Sequence, residues 1–173
     1  MRYFLLSFFS IFLFFINSVN SEQNIAFINM DKVISTSNAG SSILKQLTDL
    51  NNKNLQFLKN EEKKFKKKET KLISQKNIIS EADFQNKVNE LKSEIKNYNQ
   101  NRDKMINEFN KLKVDNTNNL LKLINPILLK FSDDKEISIV LQKKDLVVAK
   151  TELDITEDII KIVNAEIKEI KIK

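Results

Sequence analysis

The sequence contains no cysteine, histidine or tryptophan, and only one glycine and one proline in 173 residues. Without cysteine and histidine, the chain lacks the usual ligands of zinc, haem iron and iron–sulfur clusters, and it cannot form a Ser-His-Asp or Cys-His catalytic arrangement. Carboxylate-only metal sites and lysine chemistry remain open, but no spacing points to either. We therefore expect no enzyme activity, no bound metal and no cofactor.

Residues 1–21 have the pattern of a secretory signal peptide. Arg2 gives a short basic region, residues 4–16 are almost wholly apolar, and Val19 and Ser21 fit the positions before a cleavage site. A retained membrane anchor is the alternative, but the apolar run is shorter than the roughly 20 residues that span a bilayer. We expect cleavage near Ser21, which places the rest of the chain outside the cytoplasm.

The segment 41–131 is predicted to be an antiparallel helical hairpin. The shortage of glycine and proline favours long helices, and apolar residues recur at alternating spacings of four and three, as in a coiled-coil seam. Ser80 is a candidate N-cap with Asp83 three residues later, so the tip lies near residues 76–82. One continuous helix in an intermolecular coiled coil remains the alternative, and Pro126 can kink or end the second arm. The predicted seam residues are Leu58, Phe65, Leu72, Ile79, Phe84, Val88, Leu91, Ile95, Tyr98 and Phe109.

Both ends of the remaining chain are predicted to meet in one small body, formed by residues 22–40 and 132–173. Short β-branched or apolar runs predict strands near 25–30, 137–141 and 146–149, and Thr156 can cap a C-terminal helix. The fold class is therefore α+β, mostly α. Such a meagre core favours oligomerisation. The candidate residues of the assembly core are Ile25, Phe27, Ile28, Ile137, Ile139, Leu141, Val147, Val148, Ile159, Ile160 and Val163.

The positive charge of the chain is concentrated in the hairpin. Residues 41–131 contain 19 Lys or Arg against 11 Asp or Glu, whereas the two ends are slightly acidic. The dense lysine run is an ordinary solvated helix face in one interpretation, and a surface that captures acidic partners or an anionic membrane in the other. The export signal argues against nucleic acid. The run consists of Lys63, Lys64, Lys66, Lys67, Lys68 and Lys71.

Two segments carry the motifs of a known family. The first, IAFINMDKVISTSNAGSSILKQL at 25–47, joins a hydrophobic strand through a short helix and small residues to a long helix. The second, EISIVLQKKDLVVAKTELDITEDIIKIVN at 136–164, ends with the helix start Asp154-Ile155-Thr156 followed by Ile159 and Ile160. Together these segments resemble the Skp/OmpH family, and the hairpin between them agrees in length and helicity.

The resemblance implies a periplasmic homotrimer whose strands form a central body and whose hairpins surround a cavity. It implies an ATP-independent holdase chaperone that binds unfolded outer-membrane proteins, prevents their aggregation and so serves outer-membrane protein assembly. A structural coiled-coil scaffold of the cell envelope is the alternative function, and a binder of anionic membrane surfaces is a further one. No nucleic-acid partner is expected.

Overall fold

Two long helices dominate the protein. The structure, a computed structural model, describes residues 24–173, so the predicted signal peptide and its cleavage point lie outside the described residues. None of the helices within residues 24–173 is long and apolar enough to cross a membrane. The elements in chain order are β1 (Asn24–Ile28), α1 (Met30–Thr36), α2 (Asn38–Gln75), α3 (Glu81–Asp134), β2 (Ile137–Gln142) and α4 (Thr156–Glu166).

Helices α2 and α3 form the predicted hairpin rather than one continuous helix. Helix α2 ends at Gln75, and Ser80 caps α3 by accepting a hydrogen bond from the Asp83 backbone N–H at 3.1 Å. The Ser80 hydroxyl also donates to the Asp83 carboxylate at 2.7 Å. This reciprocal cap, without glycine or proline, is enough to restart the helix after a five-residue turn at 76–80.

Pro126 neither ends nor interrupts α3, which continues to Asp134. The proline ring removes one helical hydrogen bond and crowds the carbonyl of the residue four positions earlier. Pro126 is exposed, so the affected backbone can be solvated.

The small body is built on a two-stranded parallel sheet in which Ile25 pairs with Ile139 and Phe27 with Leu141. One face of the sheet, which includes Ala26 and Val140, packs against the core where α1, α4 and the bases of both long helices meet. The first strand is shorter than predicted because Asn29 already caps α1, accepting a hydrogen bond from the Lys32 N–H.

The segment 146–149, predicted as a third strand, pairs with neither described strand. Residues Lys143–Asp145 form a 3-10 turn instead of a hairpin turn, and the Lys143 ammonium is held at 3.0 Å by the Asp154 carboxylate. The segment 146–149 therefore forms no hairpin with β2. The side chains of Val147 and Val148 are 100% and 89% exposed, so they lie outside the core of this chain.

Gly40 is required by a close approach between α1 and α2. Ser37 ends α1 and caps α2, since its side chain accepts from the Gly40 N–H. A Cβ atom on Gly40 would lie 1.6 Å from the backbone oxygen of Ile34. Any side chain larger than hydrogen at this position would therefore push the two helices apart.

Candidate functional site

The outer halves of the two arms meet through a narrow, half-buried seam. The Phe65 and Tyr98 rings pack edge to face across it, with centroids 5.3 Å apart and planes at 61°. The Tyr98 hydroxyl donates to the Glu62 carboxylate at 3.1 Å. Burial, followed by this hydrogen bond, raises the pKa of Tyr98 above its usual value.

Most of the predicted seam residues are half-buried, and Ile95 is the exception, with 38% exposure. A pair of helices can cover only a narrow stripe on each partner. The seam therefore holds the arms together while much apolar surface stays accessible. The half-buried members are Leu58, Phe65, Leu72, Ile79, Phe84, Val88, Leu91, Tyr98 and Phe109.

An open groove of about 610 Å³, here called the apolar groove, runs along one side of the seam. Its lining combines seam residues with Ile73, which is 66% exposed. The charged residues that line it are Glu62, Lys66, Glu69 and Lys92. Sequence reasoning missed Ile73 because it falls outside the spacing of four and three. An apolar residue next to a seam position was the available signal. The apolar lining is Phe65, Leu72, Ile73, Phe84, Val88, Leu91, Ile95 and Tyr98.

The other side of the seam is charged. A second groove there is lined by Lys68, Lys71, Lys87, Glu90 and Glu94, together with seam leucines. The Lys68 ammonium and the Glu94 carboxylate bridge the two arms at 2.5 Å. At about 100° per residue, the residues that line the two grooves project to opposite sides of the seam. One side of the hairpin is therefore richer in apolar residues, and the other carries the ion pair between the arms.

The lysine run surrounds the exposed part of α2 rather than forming one flat patch. Lys64 pairs with Glu61 at 2.7 Å, and Lys68 pairs with Glu94. The other four lysines make no ion pair with any residue between 24 and 173, and Lys63, Lys66, Lys67 and Lys71 line a shallow surface on the outer face of α2. These ammonium groups are available to an anionic partner.

The predicted assembly residues divide between the core and the surface. One set is buried or half-buried within the chain and comprises Phe27, Ile28, Ile137, Ile159, Ile160 and Val163. The others are exposed on the open face of the sheet and on the segment after it. We call this set the body patch, and it consists of Ile25, Ile139, Leu141, Val147 and Val148.

No group of three or more acidic side chains that could hold a metal ion occurs in the described part of the chain.

A family model described as outer membrane protein (OmpH-like) matches residues 24–163. The chain belongs to this OmpH-like family. The resemblance inferred from the two terminal segments is thereby confirmed.

The fold of this OmpH-like protein is similar to a solved structure from Caulobacter crescentus. That chain is described as an outer membrane chaperone (OmpH-like). The two align with a TM-score of 0.81 and 13% identity over 88% of this chain and 90% of that one. At this identity the likeness establishes the fold. A comparison with curated proteins gives no match.

The family motif of this OmpH-like protein joins the two ends of the chain. The Ile155 N–H donates to the Phe27 carbonyl at 3.0 Å, and the Asn29 N–H donates to the Thr156 hydroxyl at 2.8 Å. Thr156 lies inside α4 rather than capping it, because its hydroxyl and N–H both bond to Asp154. The motif therefore fixes α4 beside β1.

The charge of Asp154 stabilises the contact between β1 and α4. Burial works to raise the pKa of its carboxyl, but hydrogen bonds from Thr156 and Lys143 outweigh it and hold the pKa below the usual value. The Lys143 ammonium also lies 5.6 Å from the centre of the Phe27 ring. The ionised carboxylate is thus the form that the folded body favours.

Proposed function

We propose that this protein is a non-enzymatic, ATP-independent holdase of the periplasm, which binds unfolded outer-membrane proteins and prevents their aggregation. The observation that carries the proposal is the open apolar groove, which lies on a hairpin with an excess of positive charge and includes two lysines and two glutamates in its lining. Membership of the OmpH-like family and the fold shared with a chain described as an OmpH-like outer membrane chaperone support it.

Binding in such a groove is weak at each contact and strong in sum. The groove is shallow, and exposed isoleucines such as Ile73 and Ile78 offer contact at several points of the outer hairpin. An unfolded outer-membrane protein exposes apolar segments that would otherwise associate with one another. Many short-lived contacts from linked sites then hold it at high effective concentration.

The lysines contribute to the rate of capture and to orientation. Lys63, Lys66, Lys67 and Lys71 face solvent without a carboxylate partner among residues 24–173. Exposed charges steer an oppositely charged partner before contact, and salt screens this attraction. The same lysines can attract an anionic membrane surface, which is compatible with a holdase that binds its clients near a bilayer.

The body patch is proposed as the assembly surface of a homotrimer. Val147 and Val148 are almost wholly exposed on the segment after β2, and Ile25, Ile139 and Leu141 are partly exposed on the sheet. Strand β1 has β2 on one edge and the Ile155 N–H on the other, so the outer edge of β2 is the one that a strand from another copy can pair. Joining three copies at this patch would set three hairpins on one body.

The holdase proposal is tested with protein spanning residues 22–173 and an unfolded outer-membrane β-barrel protein diluted from denaturant. We expect the protein to suppress light scattering, and Ile73→Ser to weaken suppression several-fold with unchanged helicity. Leu129→Ser is the matched control, because Leu129 is 67% exposed on α3 and lies outside the apolar groove.

Absence of suppression by the unmodified protein would overturn the holdase proposal and favour the scaffold function. Equal losses in Ile73→Ser and Leu129→Ser would show that general surface hydrophobicity, and not the groove, holds the client.

The assembly proposal is tested by measuring mass in solution. We expect a trimer, and Val148→Asp should shift it towards monomer because a charge cannot be buried in an apolar interface without a large penalty. Val114→Asp, at an exposed position on α3, is the control and should leave the mass unchanged. A monomeric unmodified protein would contradict the proposal.

A further inference from the structure

Residues 167–173 pack as a tail against the base of the hairpin, beyond the part that the family model matches, which ends at residue 163. The tail belongs to no helix or strand. The side chains of Ile167, Ile170 and Ile172 pack on the edge of the core, whereas the charged residues between them point to solvent.

One glutamine side chain on α2 holds the tail backbone. The Gln46 amide nitrogen donates to the Ile170 carbonyl at 2.7 Å, and the Gln46 amide oxygen accepts from the Ile172 N–H at 3.2 Å. A donor and an acceptor presented to alternate backbone groups are what a neighbouring β-strand would provide. Such contacts recognise an extended backbone of any sequence.

Both arms of the hairpin contribute to this groove. On α2, the Ser42 hydroxyl donates to the Glu169 carboxylate at 3.0 Å. On α3, the buried Asn116 amide lies 3.5 Å from the main-chain oxygen of Lys173 and donates to the Leu112 carbonyl at 2.7 Å. The tail therefore lies across the entrance between α2 and α3, at the end of the hairpin opposite its tip.

We propose that this tail groove is a second binding site for client segments, which the chain fills with its own tail until a client displaces it. The inference rests on the proposed holdase function. The suitable ligand is an extended segment with apolar side chains at alternate positions, as Ile170 and Ile172 are in the tail. Strands of outer-membrane β-barrels have this alternation, because one side faces lipid and the other the lumen.

The tail acts as an internal competitor. A linked segment is present at an effective concentration in the millimolar range, so a free peptide competes poorly while the tail is bound. Weakening the tail should therefore expose the groove without changing its lining. Ile170→Ser combined with Ile172→Ser does this in the complete chain, since neither residue belongs to the groove wall.

The experiment measures binding of a fluorescent peptide with the sequence of residues 164–173 by anisotropy. We expect the Ile170→Ser/Ile172→Ser variant to bind it on the order of tenfold or more tightly than the unmodified protein does. Adding Gln46→Ala to that variant should weaken binding, whereas Gln56→Ala should not, because within residues 24–173 the Gln56 amide bonds to Asn60 on the same helix and not to the tail. A peptide from a β-barrel strand should displace the tail peptide, and an isomer with its apolar residues grouped together should not.

Failure of the double variant to bind the tail peptide would overturn the inference, as would failure of the barrel-strand peptide to displace it. Hydrogen exchange on the unmodified protein is the second measurement, which needs no variant. Exchange in residues 167–173 should increase when unfolded client is added, and unchanged exchange would also overturn the inference. Light scattering on the same samples separates the two proposals. A protein that suppresses aggregation but does not bind the peptides would contradict the tail-groove inference and leave the holdase proposal standing.

Discussion

The body and the outer hairpin use apolar residues in opposite ways. In the body, Val33, Ile124, Ile159 and Val163 are fully buried, since side chains converge there from four helices and a sheet. In the outer hairpin, apolar residues are at best half-buried, and Ile73 and Ile78 are largely exposed. The body keeps a fixed shape, and the hairpin keeps apolar surface available to another chain.

The difference follows from geometry more than from composition. Two helices cover only one stripe on each other, while a core fed by several elements can enclose a side chain on all sides. Where the arms do touch, part of the contact is polar, as between Glu62 and the Tyr98 hydroxyl. Substitutions in the body and in the outer hairpin should therefore differ in how much they lower the free energy of unfolding and in which property of the protein they change.

The largest effect is expected for Gly40→Ala. The added Cβ would lie 1.6 Å from the Ile34 oxygen, so α1 must move away from α2. Overpacking of this kind against backbone should cost about 3 kcal/mol or more of unfolding free energy. Chemical denaturation followed by circular dichroism measures it, with Lys45→Ala on the exposed face of α2 as the control. A loss below about 1 kcal/mol would show that the two helices are not fixed as described.

The contrast between a packed body and a loosely packed hairpin is tested by comparing Ile124→Ala with Leu72→Ala. Ile124 is fully buried in the body, and its truncation should cost about 3 kcal/mol. Leu72 is half-buried in the seam, where solvent can fill the space, and we expect about 1 kcal/mol. Global denaturation should report the first change, and hydrogen exchange in the arms the second. Equal losses would remove the distinction between a packed body and a loosely packed hairpin.

Asp154→Asn should destabilise the body by about 1 kcal/mol at pH 7, because a charge-assisted hydrogen bond is lost. The pKa of Asp154 is lowered in the folded protein, so its stabilisation is complete above the unfolded pKa of about 3.9. It disappears as the pH falls through the folded value. Denaturation midpoints of the two proteins should therefore converge at low pH. A gap that persists there would assign the loss to shape and not to charge.

The smallest expected effect concerns Tyr98, which is the only tyrosine in residues 22–173. Its pKa is raised by burial and by Glu62. Glu62→Gln should lower the pKa in an ultraviolet titration, yet leave it above the usual value of about 10, because burial remains. Glu69→Gln is the control. An unchanged pKa in Glu62→Gln would mean that the seam contact is open in solution.

Much of the architecture could be predicted from local sequence patterns. The scarcity of glycine and proline and the spacing of Leu58, Phe65 and Leu72 predicted the helices, and Ser80 with Asp83 predicted the tip. The prediction of a strand at 146–149 was wrong, because a β-branched run forms a strand only where a partner strand is available. Neither the groove formed with Ile73 nor the tail groove around Gln46 could be predicted, because each combines residues distant in sequence.

The sequence by itself determined which segments are helical, where the hairpin turns, how charge is distributed and which family the chain resembles. Periodicity, capping and composition are local, and they act before any distant contact forms. Only the tertiary structure decided which strands pair, which apolar residues are enclosed and which remain open, and where the tail binds. Those outcomes depend on surfaces that folding brings together, so they cannot be predicted from the sequence of any single segment.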